Sequence, residues 1–312
     1  MNKDLLCKNF VKRKEIFADA VNFILYDGEN RILPSNLKEL DPNQNLILED
    51  FKIEKHRDVF NQVTLMEGDD EKYLLFGIEN QSYIDYGMIV RCMTYDLLSY
   101  NNQIEELRKK NKNDKINNGK DYLSGIKKDQ KLKPVITLVI YFGPDEWDGP
   151  RYFHDMLDMK DVVKPLIPNY ELKLISPYDL TNSELNKFNT ELYNVLKYIK
   201  VSKSLDKNNL YKMIDEDNWV LETDTIKLIN EITNSNLKIS DVKGGRQNMC
   251  ELLKVALEDA EKQGIEKGIE KGIEKATKEN IISLYENGVS LELLAKSFKM
   301  NEEEIKIIIA NK

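Results

Sequence analysis

Apolar residues recur at helical spacing from Asp4 to Leu25 (Phe10, Phe17, Ala20, Val21, Ile24), which predicts one or two helices. Asp27-Gly28-Glu29-Asn30 breaks that pattern. A short extended piece, Arg31-Ile32-Leu33-Pro34, then leads into a polar loop containing Asp41-Pro42-Asn43. Two apolar runs follow, Val59 to Leu65 and Tyr73 to Ile78, separated by Glu67-Gly68-Asp69-Asp70. A Gly/Asp cluster between two strand-like runs predicts a hairpin. Beyond Gln81 the period is helical again. Asp85, Met88, Arg91 or Cys92, and Tyr95 fall on one face of a helix that runs to about Glu106. Pro134 to Gly143 is the strongest strand signal, apolar on both faces and so expected inside a sheet covered on both sides. Tyr170 to Ile175 is a further strand, and from Ser183 onward the chain reads as helices. This order predicts an α/β core of roughly 200 residues, followed by a helical C-terminal extension.

The tail has its own pattern. Gly264-Ile265-Glu266-Lys267 recurs as Gly268-Ile269-Glu270-Lys271 and Gly272-Ile273-Glu274-Lys275. A four-residue period nearly matches the helical turn, so the isoleucines form one stripe and the glycines another. Each glycine inside a helix costs about 1 kcal/mol relative to alanine, so the helix is expected either to fray or to pack closely against a second copy. Leu291 to Ala295, followed by Asn301-Glu302-Glu303-Glu304-Ile305, resembles a helix-turn-helix. Three glutamates at the start of its second helix would repel phosphate, which favours a helical hairpin for protein contact. The expected division is residues 1–205 for the α/β domain, 206–260 for a helical extension, and 261–312 for the repeat helix and terminal hairpin.

The hairpin carries the candidate chemistry. If its turn centres on Gly68-Asp69, Asp58 lies opposite Glu79, and Gln81 points to the same face as Glu79. Facing carboxylates repel unless a cation lies between them, and a divalent metal is the natural candidate. In the same register His56 falls across from Gln81, where it could contact phosphate or sit as an ordinary surface histidine. Arg91 could bind phosphate or pair with Asp85 or another acid.

Charge and composition narrow the choices. The 312 residues carry a net charge of −8, which argues against a generally basic nucleic-acid binder. Residues 107 to 133 run the other way, with ten Lys/Arg against three Asp/Glu. This is either a solvated loop or a basic arm for phosphates, with Lys109 and Lys110 as candidate contacts. Three dispersed cysteines and two histidines leave out a disulfide framework, a cysteine zinc site and a multi-histidine centre. Any metal would be held by oxygen, favouring Mg2+ or Mn2+. With no apolar stretch of membrane-spanning length and no apolar N-terminal core, a cytoplasmic location is expected.

Several stretches, in this order along the chain, resemble the recombination-promoting nuclease/putative transposase (Rpn) family of the PD-(D/E)XK nuclease superfamily. They are Phe17 to Asn22, Arg57-Asp58-Val59, Gly77 to Ser82, the Asp85/Met88/Arg91/Tyr95 face, Pro134 to Gly143, Trp147-Asp148-Gly149-Pro150 and the Gly-x-x-Lys-rich repeat. The resemblance implies a restriction-endonuclease-like α/β core, a mixed central sheet flanked by helices, and magnesium-dependent cleavage of DNA phosphodiesters, with a role in recombination or in defence against mobile DNA. It implies metal ligation by Asp58, Glu79 and the Asn80 carbonyl. Gln81 stands where the superfamily usually has a lysine, and can position water without contributing charge. An additional acid from the N-terminal helix is implied, with Glu15 and Asp19 as candidates. DNA is the implied partner, and the tail is expected to mediate homo-oligomerisation. The alternative is a catalytically weak nuclease fold that binds nucleic acid or a protein.

Overall fold

The computed structural model describes residues 3–48, 51–67, 70–113, 119–203, 207–239 and 245–310. Two compact units divide the chain, residues 1–250 and 251–312.

The predicted N-terminal helical stretch forms two helices, α1 (Lys3–Lys12) and α2 (Lys14–Tyr26). Next come β1 (Leu37–Glu39), β2 (Asn43–Leu48), β3 (Phe51–His56), β4 (Val59–Glu67) and β5 (Asp70–Gln81). Helix α3 (Met88–Asn113) and the short α4 (Gly119–Ser124) lead to β6 (Val135–Tyr141), and β7 (Lys173–Ile175) follows. The rest of the first unit holds α5 (Asn182–Leu185), α6 (Glu191–Ser202), α7 (Lys207–Glu216), β8 (Val220–Glu222), α8 (Thr223–Thr233), β9 (Arg246–Asn248) and the first residues of α9 (Met249–Glu286). The main sheet has five strands in the order β1-β4-β5-β6-β7. It is mixed: β1, β4 and β5 pair antiparallel, whereas β5, β6 and β7 pair parallel. A parallel β5–β6 pair needs a long crossover, which α3 supplies.

Side-chain alternation assigns each face its cover. Leu74, Phe76 and Ile78 of β5 lie on the side of α1 and α2, where Phe17 meets Phe76 edge to face at 5.8 Å. The odd-numbered residues face α3. There Val139 and Tyr141 of β6 pack with Met88, Ile89 and Cys92. All of β6 except Ile136 is buried, as expected for an inner strand covered on both faces.

Two segments differ from the sequence reading. The residues after Asp41-Pro42 form a separate two-stranded sheet, β2 with β3, where only a polar loop was expected. The basic segment from Leu107 to Lys133 is folded through much of its length rather than a free loop. Helix α3 extends to Asn113, and buried Asn111 exchanges side-chain hydrogen bonds with Gln130 (2.7 and 2.9 Å) while also donating to the Gly125 carbonyl.

The second unit contains most of α9, with α10 (Leu291–Phe298) and α11 (Glu302–Ala310). Ile281, Leu294 and Ile305 form its small core. Among the described residues no helix is long and apolar enough to cross a membrane.

Candidate functional site

Strands β4 and β5 pair with Val59 opposite Ile78 and Glu67 opposite Asp70. One further step in that register sets Asp58 opposite Glu79, as the turn chemistry predicted, although Gly68 and Asp69 themselves lie outside the described residues. The two acids are coupled through the backbone. The Asp58 N–H donates to Glu79 Oε1 at 3.3 Å, and the Asn80 N–H donates to Asp58 Oδ2 at 2.9 Å.

Glu79 is fully buried and Asp58 half-buried. Burial first, and then the charge of Asp58, push the Glu79 carboxyl up to about 7, while Arg91 and Arg57 pull the other way. The counter-charge is Arg91 on α3. Its Nη2 donates to Glu79 Oε2 at 3.1 Å, and its Nη1 lies 3.8 Å from Asp85. One guanidinium is therefore shared between an acid just before its own helix and an acid of the facing strand. Gln81 is buried on the same face as Glu79, at the end of β5, and its carbonyl accepts from the Phe142 N–H.

Below this pair lies a buried polar network that holds it in place. Arg57 is completely inaccessible. Its guanidinium donates to Thr137 Oγ1 at 2.5 Å, and to Asp96 and Ser99 at 3.3 Å each. Asp96 also accepts from Thr137 and from the Tyr170 hydroxyl. The guanidinium packs over the rings of Phe60 and Tyr95 at 4.8 and 4.9 Å. On the other side of Arg57, the Tyr95 hydroxyl donates to the His56 carbonyl at 2.8 Å. Asp58 thus follows two residues fixed to α3 and β6, which leaves it little freedom to move.

This network could not be read locally, because its members come from four segments of the chain. One signal existed. Gly77 interrupts an otherwise apolar strand, and glycine in a strand interior marks close backbone approach. A Cβ at position 77 would lie 2.1 Å from Arg57 Nη1.

The other candidates fall elsewhere. His56 does not pair with Gln81, because it ends β3 and pairs with Asn43; its ring contacts Asn43 Oδ1 and Lys8 Nζ. Chain direction changes between His56 and Val59, so the hairpin register does not extend that far. Glu15 pairs with Arg13 at the surface. Asp19 is buried and caps the start of α6, accepting from the N–H groups of Asn189 and Thr190 and from Thr190 Oγ1. An acid that sequence reasoning did not consider, Asp4, lies on α1, a helix packed against β5 and β4. It accepts from Ser82 Oγ, one residue beyond β5. One turn along α1, burial and then, against Lys3, the charges of Asp4 and Asp58 push the Cys7 thiol up to about 12. Lys109 and Lys110 are exposed near the end of α3. At 1.5 Å per residue they lie about 28 Å along the helix from Arg91.

Two hard carboxylates, one raised by its burial and then by the other's charge, are the kind of donor set that magnesium or manganese accepts. Among the described residues no third His, Cys, Asp or Glu completes a cluster of metal-ligand type. An ion here would draw its remaining ligands from carbonyl oxygen and water. Residues 2–232 match a family model described as "Putative transposase, YhgA-like". Comparison with curated proteins and with solved structures finds no match.

Proposed function

The chain belongs to the YhgA-like putative transposase family, the family its motifs led us to expect, and from that premise we propose that it is a magnesium- or manganese-dependent DNA endonuclease. Family membership indicates a nuclease-like function in DNA rearrangement. The observation that carries the finer reading is the buried Glu79 held against Asp58, with Arg91 supplying the positive charge the pair requires.

The order of elements supports a PD-(D/E)XK core. Helices come first, then three antiparallel strands, a crossover helix, and a strand returning parallel to the hairpin. Asp58, Glu79 and the Asn80 carbonyl would hold the ion. A bound ion polarises a phosphoryl oxygen and lowers the pKa of coordinated water. The protein's own residues supply the rest. Arg91, released from Glu79, neutralises charge on the phosphate, and the Gln81 amide orients the attacking water by hydrogen bonds. An amide adds no charge, and this specific feature favours the second reading, a nuclease fold that binds DNA with little turnover.

We assign homo-oligomerisation to α9. Ile265, Ile269 and Ile273 are each more than half exposed along one stripe, and a Cβ at Gly264, Gly268 or Gly272 would meet open space beyond the helix's own backbone.

Supercoiled plasmid incubated with the purified protein tests the reading. Nicked circles are expected with magnesium or manganese and not with EDTA. Retained DNA binding without nicking in either ion would leave only the binding reading.

A further inference from the structure

A groove of about 470 Å³ opens on the same sheet face as the carboxylate pair. Its floor is apolar, built on Phe60 and Leu75. Its rim is polar, with Gln62, Gln103, Lys110, Lys131 and Lys133, and two carboxylates, Asp41 and Glu106, also line it. Gln62 is four residues along β4 from Asp58, and Leu75 four residues along β5 from Glu79. An even offset keeps them on one face, at about 13 Å for a strand rise of about 3.3 Å per residue. Helix α3 runs over both, contributing Arg91 at the carboxylate pair and Lys110 at the far end of the groove, about 28 Å further along the helix.

The lysines are held by structure rather than carried on a loose arm. Gln103 clamps the Lys133 backbone from both sides, accepting from its N–H at 2.7 Å and donating to its carbonyl at 3.2 Å. The Lys133 ammonium donates to Gln62 at 2.6 Å and lies over the Tyr73 ring. The Asn111–Gln130 exchange fastens the end of α3 to the segment that carries Lys131. Holding the Lys133 side chain and the backbone segments that carry Lys110 and Lys131 before binding lowers the entropy lost on association.

We propose that this groove binds the phosphodiester backbone of the DNA on which the carboxylate pair acts, a site that rests on the nuclease reading. An offset of about 13 Å corresponds to about four base pairs of duplex rise. The apolar floor lies under the sugar, and the three ammonium groups take the phosphates. This gives an acidic protein one positively charged track leading to its acidic centre.

The test is binding of a short labelled duplex in EDTA, where no cleavage is required, across a salt series. The triple variant Lys110→Gln/Lys131→Gln/Lys133→Gln is expected to bind at least tenfold more weakly at about 0.1 M salt. Its log–log salt slope should be shallower by about 2–3, at about 0.9 for each phosphate left without its ammonium group. The corresponding triple arginine variant should restore binding, which separates loss of charge from loss of fold. A charge-matched control, Lys160→Gln/Lys164→Gln/Lys173→Gln, should keep the wild-type slope. Wild-type affinity and slope in the groove variant, or an equal loss in the control, would overturn the proposal. If the wild type binds with the expected slope but never nicks plasmid, the nuclease reading falls while the groove assignment stands on its own measurement.

Discussion

Glu79→Gln is expected to abolish magnesium-dependent nicking and at the same time to raise the melting temperature at pH 8. The loss of rate should reach about 1,000-fold or more, about 4 kcal/mol of transition-state stabilisation, because a neutral amide cannot hold a cation against Asp58. The gain in stability follows from the proton. Burial and Asp58 raise Glu79 from the ordinary 4.5 to about 7 in the folded protein. A carboxyl raised on folding contributes stability that is complete below about 4.5 and is lost as the pH rises through about 7. At pH 8 the native state therefore carries an ionised carboxylate that it holds poorly, and glutamine does not. At pH 5, where Glu79 is protonated in the fold, the two proteins should melt closer together. Arg91 keeps Asp85 as a partner and is about one-third exposed, so its loss of Glu79 costs little. Parallel nicking rates and melting curves at pH 5 and pH 8 decide the matter. An active variant, or one less stable than wild type at pH 8, would contradict this account.

Gly77→Ala is expected to destabilise the first unit by about 3 kcal/mol or more, from overpacking combined with disruption of a buried ion pair. For a unit of this size that lowers the melting temperature by about 6–12 °C. The added methyl would meet Arg57 Nη1 at 2.1 Å and Cζ at 3.1 Å, and Arg57 has no exposed surface into which to retreat. Moving the guanidinium would strip the largely buried Asp96 of its ionic partner. The cause is steric rather than conformational, and a double-mutant cycle can show it. In an Arg57→Met background the Gly77→Ala change should cost much less than in wild type. Equal costs in both backgrounds would mean that Arg57 is not what excludes a side chain at position 77. Because Arg57 immediately precedes Asp58, the same change should also weaken nicking in whatever fraction remains folded.

How much of this was legible in the chain depends on how local each cause is. The hairpin register was readable, because a Gly/Asp turn between two apolar runs leaves few ways to pair the strands, and that pairing sets Asp58 against Glu79. The inner strand from Val135 to Tyr141 was readable from its apolar character on both faces. Other features arise from contacts between distant segments. Asp19 was one of two N-terminal acids that the resemblance offered as candidates, with a solvated helix carboxylate as the other reading; it is instead buried and caps a helix about 170 residues away. Arg57 entered only as part of the Arg57-Asp58-Val59 stretch, and its buried role was not legible, since its partners on α3 and β6 are 39 to 80 residues distant. The excess of lysine between Leu107 and Lys133 was plain from counting. The Asn111–Gln130 lock that turns it into a fixed groove wall has no periodic signature. The β2–β3 hairpin was missed because its first strand opens with polar Asn43-Gln44-Asn45, which reads as loop.

The account rests on Asp58 and Glu79 sharing one divalent ion, and anomalous scattering from a crystal soaked in manganese at pH 8 tests it most directly. At that pH Glu79 is expected to be ionised and able to bind. The expected result is a manganese peak within about 2.0–2.3 Å of a carboxylate oxygen from each residue, with the Arg91 guanidinium moved off Glu79. A peak elsewhere, or a metal-free pair still bridged by Arg91 at saturating manganese, would contradict it.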